Sequence, residues 1–146
     1  MEERNPISIL LVEDDEAASE ILASEFAIKF PQIVFNYADN GKTGLECFKK
    51  LSPTIVITDV NMPEMDGIHM AAEIKSIAAC VKLIVLTAFS DKTILESSTA
   101  VGIKIDHYIS KPVDYRKLFA AIEQCLSQVA PNHFPTTLQG NDDEKK

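Results

Sequence analysis

The chain has no tryptophan, only five glycines and only three cysteines among its 146 residues. Cys47, Cys80 and Cys125 are far apart and form no C-x-x-C pair, which argues against a disulfide framework or a zinc site and favours a reducing compartment. No apolar run approaches the roughly 18 residues of a membrane span. The start of the chain also lacks the basic and apolar regions of a signal peptide. We therefore expect a cytoplasmic protein that does not enter a membrane.

Positive charge is also scarce. Lys and Arg number 14 against 22 Asp and Glu, so the formal net charge is −8. Because such a surface repels phosphate backbones, we expect no direct binding of nucleic acid by this chain. The hydrophobic share of 46% and the charged share of 25% are ordinary for a globular protein. They exclude collagen-like, disordered and coiled-coil chains, and the length suits one domain.

Short apolar runs rich in β-branched residues recur along the chain and predict five buried strands. These runs are Ile7–Val12, Ile33–Tyr37, Thr54–Thr58, Lys82–Thr87 and His107–Ile109. The stretches between them have helical periodicity, as in the apolar stripe of Ala18, Ile21, Leu22 and Phe26. Alternating strands and helices predict parallel strands with helices on both faces. We therefore predict an α/β, doubly wound (βα)5 three-layer sandwich over residues 5–129.

Cap residues support these boundaries. Asp15, Asn40, Ser90 and Asp114 stand where helix N-caps are expected, and Gly102 is a stop signal after the fourth predicted helix. Residues 130–146 have no apolar periodicity and contain two prolines. We therefore assign residues 1–129 to the domain and residues 130–146 to a tail or a truncated linker.

Polar residues follow four of the predicted strands. Glu13 and Asp14 follow the first, Asp59 the third, Thr87 ends the fourth and Lys111 follows the fifth. Because the carboxyl ends of parallel strands meet at one edge of the sheet, we expect these side chains to converge there. Three carboxylates and one ammonium give −3 + 1 = −2.

Crowded carboxylates raise one another's pKa, and a divalent cation would relieve their repulsion. The offered ligands are all oxygens, which favours a hard ion such as Mg²⁺ over zinc. Such a site suits phosphoryl transfer to a carboxylate nucleophile.

The segment Asp59–Gly67, with the sequence DVNMPEMDG, resembles the phosphoacceptor loop of response-regulator receiver domains of two-component signalling, including the chemotaxis regulators. Three further segments match the family's other motifs in the expected order: Leu11–Asp14, Leu86–Ala88 and Ser110–Val113. The resemblance covers roughly residues 7–127. It implies a flavodoxin-like sheet of strand order 2-1-3-4-5.

The resemblance also implies roles for the residues at the strand ends. Asp59 would be the phosphoacceptor, and Lys111 and Thr87 would contact phosphoryl oxygens. Tyr108 would act with Thr87 as a conformational switch. The peptide bond between Lys111 and Pro112 is often cis in this family.

The metal site implied by the resemblance holds Mg²⁺. Asp14 would be the direct ligand of the acidic pair, and Glu13 would act through water. The full implied set is Glu13, Asp14, Asp59 and the backbone carbonyl of Asn61.

The resemblance implies a signalling module rather than a turnover enzyme. A histidine kinase or phosphotransfer protein would donate the phosphoryl group, and a downstream protein or effector domain would respond. A phosphorylation-dependent dimer is compatible with this function.

Two other classes are less compatible with the sequence. A haloacid-dehalogenase-type aspartyl-phosphate phosphatase needs Asp-x-Asp where this chain has Asp59-x-Asn61. A flavodoxin-like cofactor binder needs a first loop rich in Ser, Thr and Gly, and here that loop is acidic. One phosphate per chain would indicate a receiver, and many per chain a phosphatase.

Overall fold

The computed structural model of the chain describes residues 7–60, 62, 64–88 and 102–129. Its strands are β1 (Ser8–Val12), β2 (Val34–Ala38), β3 (Ile55–Asp59), β4 (Lys82–Thr87) and β5 (His107–Ser110). The helices within the described residues are α1 (Glu16–Lys29), α2 (Gly41–Leu51), α3 (Gly67–Ile77) and α4 (Tyr115–Val129). The five predicted strands are confirmed, and no strand end differs from its prediction by more than one residue.

All strand pairs are parallel, and the order of the sheet is β2-β1-β3-β4-β5. The predicted doubly wound fold and its strand order are therefore confirmed. Every residue of β3, and Leu83–Thr87 of β4, is buried, as expected for central strands covered on both faces. In the register, Val12 pairs with Thr58 and Asp59 with Leu86, so β1, β3 and β4 end close together at one edge.

Each face of the sheet carries its own apolar core. On one face α1 and α4 pack through residues such as Phe26 and Ile122, and on the other α2 and α3 pack through Phe48 and Ile74. Three layers result, as predicted. The helix predicted between β4 and β5, including its Ser90 cap, and residues 130–146 lie outside the described residues.

The predicted caps hold the helix starts at the carboxyl edge of the sheet. Asp15 accepts a hydrogen bond from the amide of Ala18 (3.2 Å), and Asn40 accepts one from Thr43 (2.8 Å). Asp114 accepts one from the amide of Arg116 (3.0 Å). Each cap satisfies an amide that has no partner within its own helix.

Two backbone features involve residues that the sequence singles out. Gly102 has φ +80°, in the left-handed region that favours glycine, and the peptide bond preceding Pro112 is cis. The helix that Gly102 is predicted to end lies outside the described residues. None of the helices in the described ranges is both long and apolar enough to cross a membrane.

Candidate functional site

Three carboxylates meet where β1 and β3 end. Because Val12 pairs with Thr58, the residues that follow this pair in each chain segment are neighbours, and oxygens of Glu13, Asp14 and Asp59 lie within 4.8 Å of one another. The convergence predicted from the strand ends is therefore present. Asp14 is exposed, whereas Glu13 and Asp59 are buried.

Both carboxylate oxygens of Asp59 have a partner. Oδ1 accepts a hydrogen bond from the amide of Val60 (2.8 Å), and Oδ2 lies 2.9 Å from the Lys111 ammonium. The Lys111 amide in turn donates to the Thr87 carbonyl (2.7 Å), which ties the end of β5 to the end of β4. The side chain of Asp59 is therefore held from two sides with only 6% of the residue exposed.

Lys111 is the cation of the cluster. Besides Asp59, its Nζ lies 3.8 Å from Oε1 of Glu13. Burial acts against the charged ammonium, but the hydrogen bond to Asp59 and the attraction of the surrounding carboxylates outweigh it, so the pKa of Lys111 is raised. A fixed positive charge thus faces the phosphoacceptor candidate at neutral pH.

Glu13 is a buried carboxyl group whose pKa is shifted. It is 4% exposed, and its Oε2 accepts a hydrogen bond from the Asp15 amide (3.1 Å). Burial raises the pKa of Glu13 to about 7, and repulsion by Asp59 and Asp14 adds to this effect. Crowding predicted the direction of this shift, but burial is the larger cause.

The remaining predicted residues are placed less completely. Thr87 is buried at the end of β4, one residue beyond the partner of Asp59. Tyr108 pairs with Val85 across β4 and β5, and 49% of it is exposed. Asn61, whose carbonyl is implied as a metal ligand, lies outside the described residues.

An open cleft of about 580 Å³ leads to the acidic cluster. Its walls beyond the charged residues include Ile21, Val113 and Tyr115. Ile21 belongs to the apolar stripe that helical periodicity predicts for α1, and 50% of it is exposed on this wall.

The donor set fits a hard divalent cation. The candidate ligands are all carboxylate oxygens, which suit Mg²⁺ better than softer metals. The raised pKa of Glu13 also indicates that the surrounding protein does not fully stabilise the charged form of this carboxyl group. A cation placed among the carboxylates would do so.

Comparisons with known proteins agree with this geometry. The family model described as "Response regulator receiver domain" matches residues 9–123. The chemotaxis protein CheY of Bacillus subtilis is 31% identical over 81% of this chain and 97% of its own length. The transcriptional regulatory protein GlrR of Escherichia coli is 32% identical over 86% of this chain, which spans only 28% of GlrR.

A solved structure has the same fold. The signal receiver domain of an HD domain-containing protein from Pseudomonas fluorescens is 25% identical, with a TM-score of 0.76 over 85% of this chain and 97% of that one. These matches favour a signalling module of phosphorelays and do not support the haloacid-dehalogenase alternative. The chain belongs to the family of response regulator receiver domains of two-component systems.

Proposed function

We propose that this receiver domain accepts a phosphoryl group on Asp59 from a histidine kinase or a phosphotransfer protein. The response would then pass to a downstream protein or effector domain. The observation that carries the proposal is the Asp59 carboxylate, held 2.9 Å from the Lys111 ammonium beside two further carboxylates. A nucleophile next to a fixed cation is the arrangement that phosphoryl transfer to a carboxylate requires.

The metal of the proposal is Mg²⁺. Glu13, Asp14 and Asp59 would hold it together with the backbone carbonyl of Asn61. When bound, the metal would neutralise charge on the phosphoryl oxygens. Its ligands include the group that reacts, so metal binding and phosphorylation depend on the same carboxylates.

The residues of the chain divide the transfer step between them. A carboxylate oxygen of Asp59 forms a bond to phosphorus, while the bond from phosphorus to the donor nitrogen breaks and that nitrogen keeps the electron pair. Lys111, whose raised pKa keeps it charged, stabilises the oxygens of the transferred group. Thr87, at the neighbouring strand end, supplies a hydroxyl to another of these oxygens.

The cleft walls are suited to a protein donor. Ile21 is 50% exposed, and it lines the cleft together with Val113 and Tyr115. These apolar side chains offer a docking protein a surface next to the charged centre. A donor protein docked there would bring its phosphohistidine to Asp59 through the open side of the cleft.

The domain would act once per phosphoryl group rather than turn over substrate. No second carboxylate follows Asp59 at the position where the phosphatase class places its acid/base, because that position is Asn61. Phosphorylation would therefore store a signal, and it would change partner binding or self-association.

The test is chemical labelling with a small donor. Incubation with acetyl phosphate and Mg²⁺ should add one acid-stable, base-labile phosphate to the wild type and none to Asp59→Asn, which lacks the nucleophile. Asp39→Asn is the matched control, since Asp39 is an exposed carboxylate that follows β2 at the same edge of the sheet. Persistent label in Asp59→Asn would place the phosphoacceptor elsewhere.

A further inference from the structure

Thr58 is a fully buried polar residue directly before the candidate phosphoacceptor. Its Oγ1 donates a hydrogen bond to the backbone carbonyl of Asp59 (2.8 Å). The pairing of β3 with β1 ends at Thr58 and Val12, so no β1 residue is paired with Asp59. The hydroxyl thus binds a carbonyl that lies just beyond the end of that ladder.

The start of α3 packs against the same carbonyl. A Cβ atom on Gly67 would lie 2.0 Å from the Asp59 oxygen and 3.0 Å from the Thr58 hydroxyl, so only glycine fits. The Gly67 amide also donates to the Val60 carbonyl (2.7 Å). The carbonyl end of the peptide group between Asp59 and Val60 is therefore packed closely against the start of α3.

That peptide group connects Thr58 to the reacting carboxylate. Its oxygen accepts the Thr58 hydrogen bond, and its N–H is the Val60 amide that donates to Oδ1 of Asp59 (2.8 Å). Because a peptide group is planar, an interaction that orients its oxygen also orients its N–H. Thr58 therefore binds the oxygen of the same peptide group whose N–H binds the Asp59 side chain.

We propose that Thr58 is a positioning residue for phosphoryl transfer, which it serves by orienting the Asp59–Val60 peptide and through it the carboxylate of Asp59. This inference rests on the proposed function, because it assumes that Asp59 is the phosphoacceptor. It adds a residue that touches neither metal nor phosphoryl group. A small error in the orientation of a nucleophile slows transfer strongly, so loss of the Thr58 hydrogen bond should lower the rate of phosphorylation.

The test compares variants that separate the hydroxyl from the shape of the side chain. Thr58→Val keeps the branched shape and removes the donor, whereas Thr58→Ser keeps the donor. Relative to wild type, Thr58→Val should be phosphorylated by acetyl phosphate about tenfold more slowly, and its Mg²⁺ dissociation constant from calorimetry should rise severalfold. Thr58→Ser should restore most of both values.

A direct readout does not depend on activity. In the metal-free protein, the NMR signal of the Val60 amide proton should move upfield in Thr58→Val as its hydrogen bond to Oδ1 weakens. Val56→Ala is the stability control, because Val56 is buried two residues earlier on the same face of β3 and does not adjoin the Asp59 peptide. It should lower the melting temperature and leave Mg²⁺ affinity and the Val60 signal unchanged.

The outcomes distinguish this inference from the proposed function. If Thr58→Val behaves like Val56→Ala, losing stability with unchanged Mg²⁺ affinity, rate and Val60 signal, Thr58 is not a positioning residue. If wild type itself takes no phosphate on Asp59, the proposed function fails instead. If Thr58→Val does not fold, Thr58→Cys replaces it, because a thiol is a weaker hydrogen-bond donor. Thr58→Cys should shift the phosphorylation rate, the Mg²⁺ affinity and the Val60 signal in the same direction. Unchanged values would overturn the inference.

Discussion

At the scale of single residues, the site contains a carboxyl group whose ionisation the fold opposes. Burial raises the pKa of Glu13 from 4.5 to about 7. Between these values the folded state binds more protons than the unfolded state, so stability falls as pH rises through this window. The loss attributable to Glu13 amounts to up to about 3 kcal/mol by pH 8.

Urea denaturation without divalent metal at pH 5 and pH 8 measures this effect. We expect the free energy of unfolding of the wild type to fall over this range more than that of Glu13→Gln, which cannot ionise. Glu16→Gln is a suitable control, since Glu16 is an exposed carboxyl group in the first turn of α1. Parallel pH profiles for wild type and Glu13→Gln would show that Glu13 does not carry the shift.

The sequence predicts which candidate site residues converge, but it does not predict how their side chains are held. Asp59 and Lys111 were predictable because strand ends converge in any parallel sheet. Two hydrogen bonds could not be predicted: the one that the Val60 amide donates to Oδ1 of Asp59, and the one that the Thr58 hydroxyl donates to the Asp59 carbonyl. In the sequence, Thr58 looks like an ordinary strand residue. These hydrogen bonds depend on how closely the start of α3 packs against the end of β3, and no local sequence pattern indicates the distance between these two elements.

At the scale of elements, the strands were the most predictable part of the fold. Continuous apolar runs indicate strands covered on both faces, and Asp15 and Asn40 indicate where the next helices begin. Periodicity places Ile21 in the apolar stripe of α1 but does not indicate its exposure, because a half-exposed residue beside a cleft has the same spacing as a core residue. Exposure depends on the neighbouring elements rather than on the helix alone.

The pair β4 and β5 is the element expected to respond to phosphorylation. Thr87 is buried at the end of β4, while Tyr108 on β5 is 49% exposed and therefore has room to change rotamer. A phosphoryl group adds about two negative charges near Thr87. If the hydroxyl moves toward it, the space it leaves favours an inward position of the Tyr108 ring, which shifts an existing two-state equilibrium.

NMR with beryllofluoride, which mimics the phosphoryl group, tests this switch. Amide signals around Tyr108 and the first turn of α4 should shift in wild type and in Thr87→Ser, which keeps the hydroxyl. They should shift much less in Thr87→Ala. Equal remote shifts in Thr87→Ala would show that the hydroxyl does not transmit the change.

At the scale of the whole molecule, acidic residues outnumber basic ones, and the same excess occurs at the candidate site. The formal net charge of −8 includes a formal excess of −2 at the site, where three carboxylates face one lysine, counted as −3 + 1. The chain spans about a quarter of the regulator GlrR but nearly all of CheY, so its family contains both longer proteins and domains of this size. In either setting the same carboxylates are the feature that a divalent cation would stabilise.

Metal binding should therefore be visible as stability of the whole domain. A ligand that binds only the folded state adds RT ln(1 + [L]/Kd), about 2.7 kcal/mol at a hundredfold excess over Kd. Millimolar Mg²⁺ should raise the melting temperature of the wild type and have little effect on Asp14→Ala, which lacks one of the three carboxylates. Because Asp14→Ala also removes a repulsive charge, it should be at least as stable as the wild type without metal.

Asp15→Ala is the control, because it removes the adjacent exposed carboxylate that caps α1. It should lower the melting temperature without metal and keep the Mg²⁺ response. An equal response in wild type and Asp14→Ala would contradict the role of Asp14 as a metal ligand.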